Sequence, residues 1–258
     1  MILLAGPCVI ENRETTFKVA DYLVNLAKEL GDIELIFKSS YKKANRTKLN
    51  SFTGLNKAEA LQILADIKKT YNVPIVTDVH ESWECEEVAK YVDVIQIPAF
   101  LCRQTDLLIA AGKTGKTVNI KKGQFLAPEG MSFAVEKVRS TGNNNIMLTE
   151  RGTTFGYSSL VVDMTSFPIM KKNNVPVIMD ATHSVQIPNQ TAGVTGGNPE
   201  MIETLALAAI SAGADGLFIE THPNPSQALS DAGSQLQLDK IKEIIQKVLK
   251  LKQTVDKL

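Results

Sequence analysis

Four residues of this chain carry donor atoms that suit a divalent transition metal: Cys8, His183, Glu220 and Asp231. A soft thiolate, an imidazole and two carboxylates form a mixed set that favours iron, zinc or manganese over calcium or magnesium. They are scattered along almost the whole chain, with no local knuckle spacing. Only a fold that gathers distant strand ends could assemble them. Taken singly, Cys8 after Gly6-Pro7 reads equally as a small buried residue, and His183 has no local partner that decides its role.

A second set is cationic: Lys38, Lys43, Arg46, Lys121 and Arg151. Such groups recognise phosphates and carboxylates, arginine through forked hydrogen bonds and lysine as a point charge. Each alone reads as a solvated loop charge. Converging on one place, they would make a cradle for an anionic substrate.

The elements that would position these residues alternate. Short apolar runs stand at 2–5, 35–38, 74–77, 92–96, 117–120, 145–148, 176–179 and 216–219. They are continuous rather than alternating, as expected of parallel strands buried on both faces. Helical patterns lie between them at 16–30, 57–70, 83–90, 105–112, 132–140, 160–172, 199–212 and 238–251. Eight strand–helix pairs predict a single (β/α)8 TIM barrel over residues 1–258. A doubly wound open sheet is the second choice, and no glycine-rich turn after the first strand supports it.

Active sites of such barrels form at the C-terminal strand ends. Those ends read Gly6-Pro7-Cys8, Lys38-Ser39-Ser40, Asp78 with His80-Glu81, Gln96, Lys121-Lys122, Glu150-Arg151, Asp180-Ala181-Thr182-His183, and Glu220 with His222. Gathering so many charges at one rim is costly unless a ligand or metal pairs with them. This pattern points to an enzyme with an anionic substrate.

Composition sets the remaining bounds. The 258 residues are 44% hydrophobic and 22% charged, ordinary for a globular chain. Basic and acidic side chains balance at 28 each, which speaks against a nucleic-acid or anionic-membrane partner. The apolar start lacks a basic leader and reads as a first buried strand, not a signal peptide. Three cysteines, Cys8, Cys85 and Cys102, are an odd and sparse set that speaks against a disulfide framework and for a reducing cytoplasm. Cys85 and Cys102 read as packing or inert surface thiols, and Trp83 as a helix anchor.

Several longer motifs now stand out. They are Lys43-Ala44-Asn45-Arg46-Thr47, Asp78-Val79-His80-Glu81, the run from Gln96 to Asp106, Asn119-Ile120-Lys121-Lys122, Glu150-Arg151-Gly152, Asp180 to Gln186, and Ser230-Asp231-Ala232. In order and over essentially the whole chain they resemble the 3-deoxy-D-manno-octulosonate 8-phosphate synthases, of the metal-dependent branch. The resemblance implies a barrel enzyme, usually a homotetramer, that condenses phosphoenolpyruvate with arabinose 5-phosphate. It implies that Lys38, Gln96, Lys121 and Arg151 hold phosphoenolpyruvate, with Lys43 between the substrates and Ala99 among the substrate-binding residues. Asn45 and Asp78 would contact sugar hydroxyls, and Arg46 and Thr47 the sugar phosphate. Arg103 would reach in from a neighbouring subunit. Cys8, His183, Glu220 and Asp231 match that branch's metal ligands, and Lys43, Asp78, His183 and Asp231 its catalytic set. Members without metal carry Asn where Cys8 stands.

Two positions depart from the pattern: Lys42 stands where Asp is expected, and Thr53 where Arg is expected. Both lie near the sugar-phosphate side. The nearest alternative is a heptulosonate 7-phosphate synthase that uses erythrose 4-phosphate, with Lys-Pro-Arg-Thr in the second loop; here Ala44-Asn45 replace the single Pro. A different class would be a silent barrel that only binds a phosphosugar.

Overall fold

The computed structural model describes residues 1–157, 159–188 and 195–258. Among them, eight parallel strands alternate with eight helices. The strands are β1 (Ile2–Gly6), β2 (Glu34–Lys38), β3 (Ile75–Asp78), β4 (Val94–Ile97), β5 (Thr117–Lys121), β6 (Ile146–Glu150), β7 (Val177–Asp180) and β8 (Gly216–His222). The helices are α1 (Arg13–Leu30), α2 (Lys57–Tyr71), α3 (Glu84–Val88), α4 (Thr105–Lys113), α5 (Met131–Arg139), α6 (Ser166–Lys171), α7 (Ile202–Ser211) and α8 (Ile241–Val255). β1 pairs with both β2 and β8, with Ile2 opposite Gly216 and Gly6 opposite Glu220. That pairing closes the sheet, so the fold is the expected (β/α)8 barrel and the open-sheet alternative is excluded.

The strands read as unbroken apolar runs because both of their faces are buried. Leu3, Ala5, Leu35, Phe37, Ile95, Ile97, Val118, Ile120, Leu217 and Ile219 join the helices in the outer core. The opposite face of the pleat points inward. There Leu4, Ile36, Val76, Val94, Met147, Ile178 and Phe218 form a separate apolar cluster. Side chains return to the same face every second residue, roughly 6.6 Å further along. Two residues beyond that inner layer come Lys38, Asp78, Gln96, Thr149, Asp180 and Glu220, all buried. β5 places Asn119 and then Lys121 on this face. The pleat thus converts an apolar plug into a polar floor within one step.

Local boundaries follow side-chain capping. Asn12 Oδ1 accepts the Thr15 N–H at 2.8 Å, which starts α1 earlier than the periodic pattern indicates. The helix expected at 160–172 is corrected. Ser159–Val161 pairs antiparallel with Thr153–Phe155, in keeping with the β-branched Val161, and α6 covers only Ser166–Lys171. Asp163 Oδ1 makes the turn between them, accepting from Thr165 N at 2.8 Å and Thr165 Oγ1 at 2.7 Å. Trp83 is not an anchor: it precedes the short α3, is 66% exposed, and carries Lys57 Nζ 5.1 Å from its ring centroid. Cys85 and Cys102 are both buried packing residues. No helix among the described residues is long and apolar enough to cross a membrane.

Candidate active site at the barrel mouth

A cavity of about 980 Å³ opens at the C-terminal ends of the strands. Of the residues singled out in the sequence, Lys38, Lys43, Asn45, Arg46, Thr47, Asp78, Gln96, Ala99, Lys121, Arg151, His183, Glu220 and Asp231 line it. Cys8 is not among the lining residues; it is buried behind them, 1% exposed, with Sγ 3.2 Å from Asp231 Oδ2. Arg103 is not part of it. Its side chain is exposed, and its carbonyl accepts from Lys137 Nζ at 3.0 Å.

Three of the four expected metal donors meet, and His183 stands beside them. Cys8, Glu220 and Asp231 offer ligand atoms that all lie within 4.8 Å of one another. His183 Nε2 stands 3.4 Å from Glu220 Oε2 and 3.9 Å from Asp231 Oδ2. β1, β7 and β8 are adjacent in the closed sheet, so their ends converge. Asp231 comes from the loop after β8, with φ 48°, a left-handed conformation that aspartate tolerates better than most residues. That loop is tied down at several points. Glu11 Oε1 accepts the Leu229 N–H at 2.7 Å. Gln235 Nε2 donates to Ser230 O at 2.8 Å, and Gln235 Oε1 accepts the Cys8 N–H at 3.3 Å.

The electrostatics of this cluster suit a cation. Burial pushes the Cys8 thiol well above its ordinary range, and the carboxylates of Asp231 and Glu220 push it further. A coordinated divalent ion reverses that sign and holds a thiolate. Burial would also raise Glu220, but His183, Lys38, Lys43 and Lys121 outweigh it and keep the carboxyl well below the usual range. The donor set, its spacing and its charge therefore fit a divalent metal.

The cationic residues stand beside it. Lys38 Nζ pairs with Glu220 Oε1 and donates to Cys8 O at 3.1 Å. Lys121 Nζ lies 2.5 Å from Asp180 Oδ2 and 3.9 Å from the centroid of the Phe218 ring. Arg151 Nη2 donates to His183 O at 2.7 Å and to Gln186 Oε1 at 2.9 Å, and its buried Nε has no hydrogen-bond partner among the described residues. Gln96 is aimed through a polar chain: its Oε1 accepts from Asn119 Nδ2 at 3.2 Å, and Asn119 Oδ1 accepts from Thr149 Oγ1 at 2.7 Å. Burial lowers Lys121 despite the opposing charge of Asp180. Burial would raise Asp180, yet His183, Lys121 and Arg151 hold it well below the usual carboxylate range.

Across the mouth, Lys43, Asn45, Arg46 and Thr47 ride on the long segment between β2 and α2. Its base is clasped by Lys43 N–H donating to Thr53 O at 2.7 Å. Gly54 allows that clasp, because a Cβ there would lie 2.7 Å from Tyr41 O and the backbone has φ +125°. Arg46 reaches the opposite loop, donating to Ser230 Oγ at 2.9 Å and Leu229 O at 3.2 Å. Asp78 Oδ2 meets His80 Nε2 at 3.0 Å. Burial would raise Asp78, but His80, Lys43 and Lys38 hold it far below its ordinary value.

Over residues 1–257 the sequence matches the DAHP synthetase I family. The chain belongs to that family. It is similar to curated proteins named 2-dehydro-3-deoxyphosphooctonate aldolase. With that of Francisella tularensis subsp. holarctica it shares 54% identity over 243 residues, 94% of this chain and 88% of the relative. With that of Citrifermentans bemidjiense it shares 51% over 248 residues, 96% and 90% of the two chains. With that of Brucella canis it shares 50% over 249 residues, again 96% and 90%. The resemblance drawn from the motifs agrees with these names.

Within this member of the DAHP synthetase I family, sequence reasoning passed over several residues. Asp180 was read only as a polar strand end, although His183 follows it at i+3. Ser230 and Gln186 stood inside the quoted motifs without an assigned role, and Gln235 and Glu11 gave no signal at all. Ser230 Oγ lies 3.1 Å from Cys8 Sγ as well as against Arg46, a contact that exists only because the β8 loop folds back over the mouth.

Proposed function

We propose that this chain condenses phosphoenolpyruvate with D-arabinose 5-phosphate and water, giving 3-deoxy-D-manno-octulosonate 8-phosphate and inorganic phosphate. The observation that carries the reading is that two cationic groups line one cavity: Lys38, Lys121 and Arg151 at the strand ends, Lys43 and Arg46 on the loop. Two phosphorylated substrates call for such a pair of cradles. The relatives named 2-dehydro-3-deoxyphosphooctonate aldolase favour the eight-carbon product over the heptulosonate alternative. In this reading residues 1–258 act as one catalytic domain.

In this reading Lys38, Gln96, Lys121 and Arg151 hold phosphoenolpyruvate beside Ala99. Arg46 and Thr47 take the sugar phosphate, while Asn45 and Asp78 hydrogen-bond sugar hydroxyls. C3 of the enol ether forms a bond to the aldehyde carbon, and the aldehyde oxygen takes a proton, for which the Lys43 ammonium is the donor. Water adds at C2 and returns a proton to Lys43; the hemiketal phosphate then collapses to the C2 ketone, its hydroxyl proton passing to the phosphate as the C2–O bond to phosphate breaks. Alignment of a weak nucleophile with its aldehyde supplies much of the acceleration. The surrounding cations stabilise the charge that develops on the departing phosphate. Cys8, His183, Glu220 and Asp231 would hold iron, zinc or manganese. Such an ion polarises a carbonyl or lowers the pKa of a bound water.

The assembly in this reading is a homotetramer in which Arg103 completes a neighbour's sugar-phosphate site. Its exposed position, on the turn that also exposes Phe100 (56%), supports that role. The three free, buried thiols support a reducing cytoplasm.

One assay tests the core of the proposal: phosphate release from phosphoenolpyruvate, with arabinose 5-phosphate and erythrose 4-phosphate side by side. Release that is fast with arabinose 5-phosphate and slow with erythrose 4-phosphate is expected. Equal specificity constants would return the heptulosonate reading, and no release with either sugar would leave a silent binding barrel.

A further inference from the structure

One buried carboxylate at the mouth is assigned to neither substrate nor metal. Asp180 ends β7 and is 0% exposed. Its Oδ2 lies 2.5 Å from Lys121 Nζ and 2.7 Å from His183 Nδ1. Its Oδ1 accepts the His183 backbone N–H at 2.9 Å and the Thr182 hydroxyl at 3.2 Å. We propose that Asp180 is a positioning residue shared by the two halves of the site: a single carboxylate oxygen holds Lys121 in the anion cradle and His183 in the metal cluster. The inference rests on the reading of the cavity given under Proposed function.

The two ring nitrogens of a histidine are not equivalent, and the partner of one sets the role of the other. With Nδ1–H donated to Asp180, the Nε2 lone pair is left facing Glu220 and Asp231, 3.4 and 3.9 Å away. A carboxylate behind a ligating imidazole also fixes the ring's orientation and raises its basicity. The same oxygen is the nearest counter-charge to Lys121, whose ammonium otherwise lies against the face of Phe218 with only Glu220 to balance it.

The geometry makes the loss of this group specific. Lys121 Nζ lies only 3.3 Å from His183 Nδ1. Without the carboxylate between them, the ammonium becomes the nearest donor to Nδ1. A hydrogen bond accepted there moves the ring proton to Nε2, the nitrogen that faces the cluster. Asp180→Asn therefore removes the ligand lone pair and also draws Lys121 out of the anion cradle. A residue with a merely structural role would weaken folding without moving both properties together.

The test uses the intact protein and needs no turnover. The dissociation constant for manganese is measured by competition with a chelating dye, and that for phosphoenolpyruvate by calorimetry. Asp180→Asn is expected to weaken manganese binding by about 10–100-fold, the range seen for supporting partners of metal ligands. Phosphoenolpyruvate binding should fall as well, and arabinose 5-phosphate binding should not. Lys121→Gln should weaken phosphoenolpyruvate alone and leave the manganese constant close to wild type. An Asp180→Asn protein with wild-type manganese affinity overturns the proposal, as does one that loses manganese but keeps phosphoenolpyruvate. Should Asp180→Asn fail to fold because Lys121 is left unpaired, the neutral double variant Asp180→Asn/Lys121→Gln decides. It must bind manganese more weakly than Lys121→Gln alone, and equal affinity sinks the idea. A wild-type protein that binds no divalent metal overturns the reading of the cavity itself, and this inference with it.

Discussion

The two sides of the mouth are held by different means. Lys38, Lys121, Asp180 and Glu220 stand on barrel strands, and all are buried. Their positions are set by the ladder of backbone hydrogen bonds and by the pleat. Lys43, Asn45, Arg46 and Thr47 ride on the loop after β2, where Asn45 and Thr47 are exposed. That loop is held by a few contacts: Lys43 to Thr53, Arg46 to Ser230 and Leu229, and Lys42 to Glu84. Under the proposed function the strand side would be a rigid base for chemistry, and the loop side an adjustable grip on the sugar phosphate. Groups on rigid elements hold a reacting geometry better than groups on loops. If this division is right, damage to the strand side strikes turnover, and damage to the loop side strikes the sugar's Michaelis constant.

The sharpest attempt to break the comparison is aimed at the strand side. Chelation should abolish turnover, and added manganese or iron should restore it. Cys8→Ala should lose metal and reduce kcat by more than the roughly 10–100-fold that a mere supporting residue costs. It should remain folded, since truncating one small buried side chain costs on the order of 1 kcal/mol. Circular dichroism with elemental analysis separates the two effects. Full activity in a preparation shown to be metal-free would end the argument that this cluster does the chemistry.

Arg103 tests whether the loop side extends beyond one chain. Arg103→Ala should raise the Michaelis constant for arabinose 5-phosphate about tenfold or more, as loss of a charged hydrogen bond implies, with kcat retained. Light scattering at assay concentration must show an oligomer. A fully active monomer would confine the site to one chain and leave Arg103 an ordinary surface residue.

Asn45 should give a smaller effect. Its amide would bond a hydroxyl that the shorter erythrose 4-phosphate presents poorly. Asn45→Ala should cost roughly 1 kcal/mol with the longer sugar, about fivefold in kcat/KM. The shorter sugar should lose less, so the preference between them narrows. A uniform loss for both sugars would assign Asn45 to holding the loop rather than reading the substrate.

The sequence foreshadowed the strand side far better than the loop side, and the reason is physical. Continuous apolar runs mark strands buried on both faces, and their polar ends mark the rim. The same double burial hides which face points inward. Val76 and Ile75 look alike in the chain, yet one fills the barrel and the other packs against helices. The contacts that hold the loops are long-range. Arg46 meets Ser230 across 184 positions, and no periodicity encodes such a meeting. The hairpin Thr153–Phe155 with Ser159–Val161 escaped notice because three-residue strands fall below what a pattern can reveal. Asp180 escaped for a different reason: its type was visible, but its two partners were not.

The subtlest test concerns Lys42, where the family resemblance leads one to expect Asp. In this chain Lys42 Nζ stands 3.5 Å from Glu84 Oε1, with side-chain exposures of 45% and 1%. The other oxygen, Glu84 Oε2, accepts the backbone N–H groups of His80 at 2.8 Å and Glu81 at 3.2 Å. Lys42 is thus a tether from the base of the loop to a buried carboxylate that also braces the Asp78–His80 segment. Half of the pair faces water, so the tether contributes at most about 1 kcal/mol. Lys42→Asp would set a second carboxylate against Glu84 and loosen the loop. The expected result is an increase of roughly two- to fivefold in the Michaelis constant for arabinose 5-phosphate, with kcat unchanged. Glu84→Gln keeps the acceptor for His80 and Glu81 but removes the charge. The double variant Lys42→Asp/Glu84→Gln should therefore recover most of the loss, because contacting residues couple where distant ones merely add. If Lys42→Asp behaves identically with Glu84 and with Gln at position 84, the tether is not what steadies the loop. The grip on the sugar would then rest on the Arg46–Ser230 contact and the Lys43–Thr53 clasp alone.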